Sequence, residues 1–366
     1  MDLLTLKGDI PWINIEGGPC GGKTTALAAI CEWCQNHGYT PYIVPEAATA
    51  LIGSGLNPTS PIFQELVLRH ILHAITERMR YQTSVEANKP VLIFDSGLAR
   101  GQAYVGKTTF NQALDTVGLS LVDARDMYDG VIFLDSAAVG AEEFYTTANN
   151  DARSETVEQA QDINQKTLEA WIGTPHLGHI QNNSNQSFDQ KIHQAIKHLA
   201  RMLGEPEPLE IERKFVLHEF DLNRLPTMTT PIDVRQTYLV NKSGVTERVR
   251  ARGQDDTYLY FHTLKQFSKP GVAIETDRLV GPGQYRDLQV RSMTDKQPIL
   301  KQRLCVPSGG QYLEIDVFSG HRSGLVMVEA EVADLSDEVV LPDFLGAHTD
   351  VTAEQGYSNF ALADPV

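Results

Sequence analysis

Long apolar runs are missing from this chain of 366 residues. No stretch approaches the roughly 20 residues needed to span a bilayer, and residues 1–10 lack the charged start and long apolar core of a signal peptide. A membrane-spanning helix is therefore not expected, and the cytoplasm is the expected compartment. Cysteine is scarce: Cys20, Cys31, Cys34 and Cys305 are irregularly placed, which fits a reducing compartment better than a disulfide framework. Cys31 and Cys34 form a C-x-x-C without a second pair to complete a zinc site, so core thiols are the expectation, while Cys20 stands as an oxidation point. Basic residues are outnumbered, 31 Lys and Arg against 47 Asp and Glu, for a net charge of −16. That balance argues against broad nucleic-acid or anionic-membrane binding, although a basic lining inside a cleft would not show in the sum. Internal repeats and low-complexity segments are absent too. At this length two domains are expected, or three; oligomeric state is not legible.

What is present begins with Glu16-Gly17-Gly18-Pro19-Cys20-Gly21-Gly22-Lys23-Thr24-Thr25, a Gly, four free positions, then Gly-Lys-Thr. This is a P-loop. The glycines let the backbone turn sharply and aim N–H groups at phosphate oxygens; Lys23 supplies a point charge and Thr24 a magnesium ligand. The context agrees, with a short strand over residues 12–15 before the loop and a helix over 24–36 after it. Gly17, Gly18, Pro19, Cys20, Gly21, Gly22, Lys23, Thr24 and Thr25 are thus the expected contacts of a nucleoside triphosphate, ATP or GTP, with magnesium.

Residues 42–44 read as a second strand running into Glu46, at the carboxyl end where open α/β sheets place ligands. Glu46 reads equally as a substrate-orienting carboxylate and as a helix N-terminal acid favoured by the dipole. Residues 62–81 have helical spacing, and their His70 and His73 lack a third ligand partner. Pro90-Val91-Leu92-Ile93-Phe94-Asp95 is a buried parallel strand ending in Asp95, expected to hold magnesium opposite Thr24. Residues 131–135 form a similar strand, and residues 178–182 a weaker last one. Residues 150–171 are polar and helical. They read either as a lid whose Arg153 stabilises charge on a transferring phosphoryl group or as a solvated helix. Asn182 and Asn183 either touch a base or end the strand.

This half resembles the P-loop ATPases related to nicotinamide-riboside kinase and the nucleoside monophosphate kinases, through Gly-Gly-Pro-Cys-Gly-Gly-Lys-Thr-Thr, Val44-Pro45-Glu46-Ala47 and Phe94-Asp95-Ser96-Gly97. Relatives usually carry Asp-Arg-Gly where this chain has Asp95-Ser96-Gly97. The resemblance therefore implies nucleotide binding, while the missing arginine weakens phosphoryl transfer to a small acceptor.

A helix over residues 192–203 is followed by Gly204-Glu205-Pro206-Glu207-Pro208, whose glycine and prolines break the chain. The expected domains are an α/β P-loop NTPase domain, 1–204, with helices on both faces of a parallel sheet, and an α+β domain, 209–366. In the second, period-two alternation puts Glu210, Glu212 and Lys214 on one face of a strand. Charged blocks recur: Arg248 with Arg250, Lys265, Glu275 with Asp277, Lys301 with Arg303, Glu314 with Asp316, Glu329 with Glu331. Leu313, Ile315, Val317, Val326, Val328, Ala330 and Val332 lie opposite. A solvated sheet face gains nothing from same-sign neighbours. Divalent cations between the acids and a polyphosphate along the bases would explain them, in a barrel polar within and apolar without.

Here the chain resembles the CYTH domains, or triphosphate tunnel metalloenzymes, whose hallmark Glu-x-Glu-x-Lys is Glu210, Glu212 and Lys214. Further matches run in order through Arg248-Val249-Arg250, Thr263-Leu264-Lys265, Lys301-Gln302-Arg303, Glu314-Ile315-Asp316, Glu329-Ala330-Glu331 and Tyr357-Ser358-Asn359. The resemblance implies a closed antiparallel β-barrel in which Glu210, Glu212, Asp316, Glu329 and Glu331 bind magnesium or manganese. Lys214, Arg248, Arg250, Lys265, Lys301 and Arg303 would grip phosphates. The implied reaction is attack of a metal-oriented water on the terminal phosphorus of an inorganic or organic triphosphate. Lys23, Asp95, Arg153, Glu212 and Lys214 are the expected catalytic residues. Arg252 continues the Arg248/Arg250 face, and whether it points inward depends on the register of the hairpin at 253–256. The pairing of the two domains also resembles two-domain proteins that include nucleotide-binding, lipid-phosphate-binding trafficking factors. That leaves a non-catalytic nucleotide-dependent switch, holding a phosphorylated ligand such as a lipid phosphate, and a small-molecule kinase as the other readings.

Overall fold

Apolar runs bounded by Gly, Pro and Asp become the central strands of the N-terminal part: β1 (Trp12–Gly17), β2 (Thr40–Val44), β3 (Pro90–Asp95), β4 (Gly130–Leu134) and β5 (Leu177–Ile180). The computed structural model describes residues 3–146, 155–183, 186–241, 245–332 and 336–365. It divides into two units, Met1–Leu203 and Gly204–Val366. In the first unit the five strands are all parallel, in the order β2-β3-β1-β4-β5. Their helices are α1 (Leu3–Lys7), α2 (Lys23–Asn36), α3 (Ala47–Gly53), α4 (Phe63–Ser84), α5 (Gln102–Val117), α6 (Leu121–Asp126), α7 (Val157–Trp171) and α8 (Phe188–Met202).

β1, β3 and β4 are buried along nearly their whole length, as parallel strands covered on both faces must be. Ile13, Ile15, Val91, Ile93, Ile132 and Leu134 pack with Ala26, Ile30 and Cys34 of α2 and with Ile192, Ala195 and Leu199 of α8. Cys34 is a core thiol, pushed up to about 12 by burial, then by Cys31. The helix expected over 150–171 begins at Val157, where Thr156 and Gln159 form a capping box that satisfies the first backbone donors. The last strand is shorter than expected and ends at Ile180.

The second unit is antiparallel: β6 (Leu209–Leu217), β7 (Thr230–Leu239), β8 (Thr246–Gln254), β9 (Thr257–Lys269), β10 (Val272–Val280), β11 (Ile299–Ser308), β12 (Gln311–Ser319), β13 (Val326–Glu331) and β14 (His348–Asp350). The order is β10-β9-β8-β7-β11-β12-β13-β6-β14, and β10 also pairs with β6. That pairing closes an eight-stranded barrel and leaves no open edge between its strands. Two short helices accompany it, α9 (Pro282–Gln289) and α10 (Asn359–Leu362).

Alternation separates the barrel's two sides. Phe215, Leu217, Leu304, Val306, Leu313, Ile315, Val328 and Ala330 pack outside with Leu345. Leu239, Val249, Ala251 and Val280 pack outside with Tyr285 of α9. On the inner side, Tyr238, Ile299, Phe318 and Met327 gather with Val351, Leu362 and Ala363. These continue the inward-facing rows of β7, β11, β12 and β13, so an apolar cluster fills one end of the interior and the charged rows occupy the rest.

Candidate functional site

The P-loop sits between the carboxyl end of β1 and the start of α2. A Cβ at Gly17 would collide with the carbonyl of Leu134, and Gly22, the residue before the helix, adopts φ +89°, a region glycine enters without strain. α2 has no side-chain cap, so its first backbone donors face the loop, and Thr24 and Thr25 are exposed there. Such a terminus favours an anion by both hydrogen bonding and dipole.

Lys23 is drawn over this terminus by groups from two neighbouring strand ends. Its Nζ donates to Ser96 Oγ at 2.6 Å and lies 3.7 Å from Asp95 Oδ1 and 4.0 Å from Glu46 Oε1. Ser96 has φ +72°, a costly conformation for a serine that follows β3 and carries the hydroxyl to Lys23. Burial raises the Asp95 carboxyl; the nearby Lys23 opposes that shift and Glu46 adds to it. Glu46 stands at the start of α3, the helix N-terminal position anticipated for it, with its carboxylate turned toward the P-loop lysine.

Sequence reasoning missed Arg100. It lies in the short 3-10 turn Leu98–Gly101 and brings a guanidinium to the P-loop. Arg100 bonds Glu16, donates to the Gly17 carbonyl at 3.1 Å and to Tyr104 Oη at 3.0 Å, and reaches within 3.9 Å of Glu46. Glu16 is fully buried and also accepts from Trp171 Nε1 at 3.1 Å and from the Gly17 N–H at 3.0 Å. A buried acid one residue before a Gly-rich loop, followed by an arginine outside any strand, was the available signal.

Other expectations for this unit resolve differently. Asn182 donates to the Ser136 and Val139 carbonyls, both at 2.7 Å, and accepts from Lys191; its amide ties the end of β5 to the loop after β4, the structural alternative. Asp135, the acid ending the 131–135 run, is bonded by Asn164 and His179. Arg153 lies outside the described residues. His73 is exposed and His70 half-buried.

In the barrel, the inward rows bring together Glu210, Glu212 and Lys214 of β6, Arg248, Arg250 and Arg252 of β8, Lys265 of β9, Glu275 and Asp277 of β10, Lys301 and Arg303 of β11, Glu314 and Asp316 of β12, and Glu329 of β13. Cations and carboxylates alternate in space. Lys214 Nζ lies 2.8 Å from Glu212 and 2.7 Å from Glu329. Lys265 bonds Glu210, lies 3.0 Å from Glu275 and 3.8 Å from Glu212. Lys301 bonds Asp316, which Arg303 grips at 2.8 Å while also bonding Glu314 and, at 2.6 Å, Glu329. Arg248 and Arg250 reach Glu275 and Asp277 at 2.9 and 2.5 Å. Glu331 is exposed at the end of β13, opposite Glu212. Glu275, Asp277 and Glu314 had been noted in the sequence as charged blocks, without site roles.

The electrostatics follow from enclosure. Burial works to raise Glu329, but Lys214, Lys301 and Arg303 overcome it and hold that carboxyl well below its ordinary range. Burial raises Glu212, with Lys214 opposing. Burial and neighbouring Arg303 lower Lys301 against the pull of Asp316. The buried Nε atoms of Arg248 and Arg250 lack hydrogen-bond partners, a deficit that an anion between the rows would remedy. Among the described residues no group of three or more His, Cys, Asp or Glu is arranged to hold a metal ion unaided. The carboxylates instead surround ammonium groups, Lys265 among Glu210, Glu212 and Glu275. That oxygen-only donor set suits a hard divalent cation completed by ligand oxygens and water.

A family model described as an AAA domain matches residues 12–187. The inorganic triphosphatase of Nitrosomonas europaea is 32% identical over 160 residues, 42% of this chain and 96% of that protein. A crystal structure of an inorganic triphosphatase matches 43% of this chain and 95% of its own at 29% identity and a TM-score of 0.32. Shikimate kinase from Acinetobacter baumannii matches 55% of this chain and 97% of its own at 15% identity and a TM-score of 0.28.

Proposed function

Because the chain belongs, through its second unit, to the inorganic triphosphatase family, we propose that this unit hydrolyses the terminal phosphate of an inorganic or organic triphosphate in a metal-dependent reaction. The P-loop domain before it would bind ATP or GTP with magnesium. The observation that carries the reading is the barrel interior, where seven basic side chains, Lys214, Arg248, Arg250, Arg252, Lys265, Lys301 and Arg303, share one enclosed space with carboxylates from four strands. A domain with a formal excess of acid across its chain concentrates its bases here.

In this reading Lys214, Arg248, Arg250, Lys265, Lys301 and Arg303 hold the phosphates. Their guanidinium and ammonium groups take up charge as the bridging P–O bond breaks and water adds to the terminal phosphorus. Glu210, Glu212, Asp316, Glu329 and Glu331 are the residues that would hold Mg2+ or Mn2+, sharing it with substrate oxygens. The ion would supply Lewis-acid polarisation of the phosphoryl group and help ionise water. Binding would exchange each lysine's or arginine's carboxylate partner for a phosphate oxygen and leave the carboxylates to the cation, so the interior is already shaped before substrate arrives. In the first unit Lys23 and the start of α2 would hold the nucleotide phosphates, with Thr24 and Asp95 on magnesium. The cytoplasm is the compartment this chemistry suits.

The test is orthophosphate release from tripolyphosphate, ATP and GTP, with Mg2+ or Mn2+, by wild type, Lys23→Ala and Glu210→Gln. Loss in Glu210→Gln with retention in Lys23→Ala is expected. No release from any substrate by wild type would sink the hydrolase reading and favour a nucleotide-dependent switch holding a phosphorylated ligand.

A further inference from the structure

We propose that the base of the nucleotide held at the P-loop stacks on Phe188, and that this ring makes the site selective for purine over pyrimidine nucleoside triphosphates. This rests on the nucleotide-binding reading of the first unit.

The sheet order gives the ligand a direction. β1, which leads into the P-loop, lies between β3 and β4. The lysine of such a loop meets the outer phosphates of a nucleotide, and Lys23 turns its Nζ to Ser96, Asp95 and Glu46, which stand at the ends of β3 and β2. The terminal phosphate therefore points to that side. The nucleoside, at the other end of the phosphate chain, leaves toward β4 and β5.

Two exposed phenylalanines occupy that side. Phe63, Phe94, Phe110 and Phe133 of this unit are at most 3% exposed, whereas Phe144 is 71% and Phe188 48% exposed. Phe144 follows β4 and Phe188 follows β5, and both adjoin the P-loop. The Phe144 carbonyl lies 3.9 Å from Cys20 Sγ. A Cβ on Gly22 would meet Cε2 and Cζ of Phe188 at 2.7 and 2.8 Å. Single apolar side chains scattered over a surface carry no message; a pair confined to the rim of a phosphate site marks where an apolar part of the ligand rests.

Of the two, Phe188 is built as a platform. It opens α8, whose Ile192, Ala195 and Leu199 pack with Ala26 and Ile30 of α2 over the sheet. Phe188 extends the same helical stripe one turn beyond that core. Ser187 and Gln190 form a capping box that fixes this first turn. Gly22, lacking a side chain, lets the ring edge rest on the backbone just before Lys23. One edge is thus pinned to the loop that holds the phosphates while the rest of the ring is open, so a base can cover it without further ordering. A purine, with two fused rings, covers more of a phenyl face than a pyrimidine does.

The experiment measures equilibrium binding of ATP, GTP, CTP, UTP and tripolyphosphate to the full chain as wild type, Phe188→Leu and Phe188→Trp, each checked for fold by circular dichroism. Only the binding that Lys23→Ala removes is counted, which sets the barrel aside. Wild type should prefer ATP and GTP to CTP and UTP. Phe188→Leu keeps an apolar side chain against Gly22 but no ring; it should weaken ATP and GTP about tenfold, reduce the purine preference, and leave tripolyphosphate unchanged. Phe188→Trp should restore the affinity, and its added indole emission should be quenched by ATP or GTP but not by tripolyphosphate. Unchanged purine affinity in Phe188→Leu, equal losses for all five ligands, or no quenching in Phe188→Trp would overturn the base site while leaving nucleotide binding intact. Absence of any Lys23-dependent nucleotide binding in wild type would defeat the nucleotide reading itself, and the base site with it.

Discussion

Lys214 Nζ donates to Glu329 Oε1 at 2.7 Å across adjacent strands, joining the first charged row of the barrel to the last. Both side chains are largely enclosed, and deleting one leaves the other on its remaining partner, Glu329 on Arg303 and Lys214 on Glu212. Lys214→Met and Glu329→Gln should each destabilise the barrel by about 1–3 kcal/mol. The double variant should lose less than the sum, because the contact the two share is lost only once. Denaturant unfolding followed by far-UV circular dichroism would check this; strict additivity would show that the pair is not coupled.

Glu275 carries a pH signature. Burial acts to raise its carboxyl, but Arg248 and Lys265 bring it from 4.5 down to about 2. Its contribution is present above the unfolded value near pH 4.5 and is lost as pH falls through about 2. Barrel stability should drop by about 3 kcal/mol across that window on account of this group, and Glu275→Gln should show a shallower acid slope. All three tryptophans, Trp12, Trp33 and Trp171, precede residue 204, so circular dichroism is the probe that sees the barrel.

Arg100 and Glu16 form the corresponding pair of the P-loop domain. Arg100→Ala leaves a fully buried carboxylate at the base of the loop and is expected to remove about 3–5 kcal/mol of stability. Because Trp171 Nε1 donates to Glu16, tryptophan fluorescence should shift in the variant before unfolding begins. Unchanged fluorescence and midpoint would refute this account of the contact.

Lys191 gives a slope of the same sign at the alkaline end. Burial lowers its ammonium from 10.5 to about 8, with Asp135 opposing, so between those values the unfolded chain binds the extra proton. Stability of the first unit, read by tryptophan fluorescence, should rise by about 3 kcal/mol from pH 8 to 10.5 relative to Lys191→Met. A parallel course for both proteins would show that Lys191 titrates normally.

At the nucleotide site, Ser96→Ala removes the hydroxyl that Lys23 donates to while leaving the ammonium in place. Nucleotide affinity should weaken by about tenfold or less, whereas Lys23→Ala should abolish measurable binding. Equilibrium binding of ATP and GTP to the three proteins would establish the order; equal loss in both variants would mean that Ser96 acts directly on the nucleotide.

The P-loop and the charged rows were legible because both are local. A Gly-Lys-Thr in register needs only neighbours in sequence, and strand parity fixes which of Glu210, Glu212 and Lys214 share a face. Arg100 was not legible, because its guanidinium reaches Glu16 across 84 positions through a turn that no periodicity announces. The basic row on β8 was half legible. Arg252 was placed on the correct row, but its inward position depended on the turn at Asp255 and Asp256.

By itself the sequence determined the two fold classes, the phosphate-loop chemistry and the alternation that sorts apolar from charged residues, since each rests on backbone period and side-chain type. Tertiary structure decided which carboxylate meets which base, that Asn182 is spent on backbone carbonyls, and that Tyr238, Ile299, Phe318 and Met327 fill one end of the interior. Those outcomes depend on strand pairing and barrel closure, which join residues tens to more than a hundred positions apart and are set by packing of the whole unit.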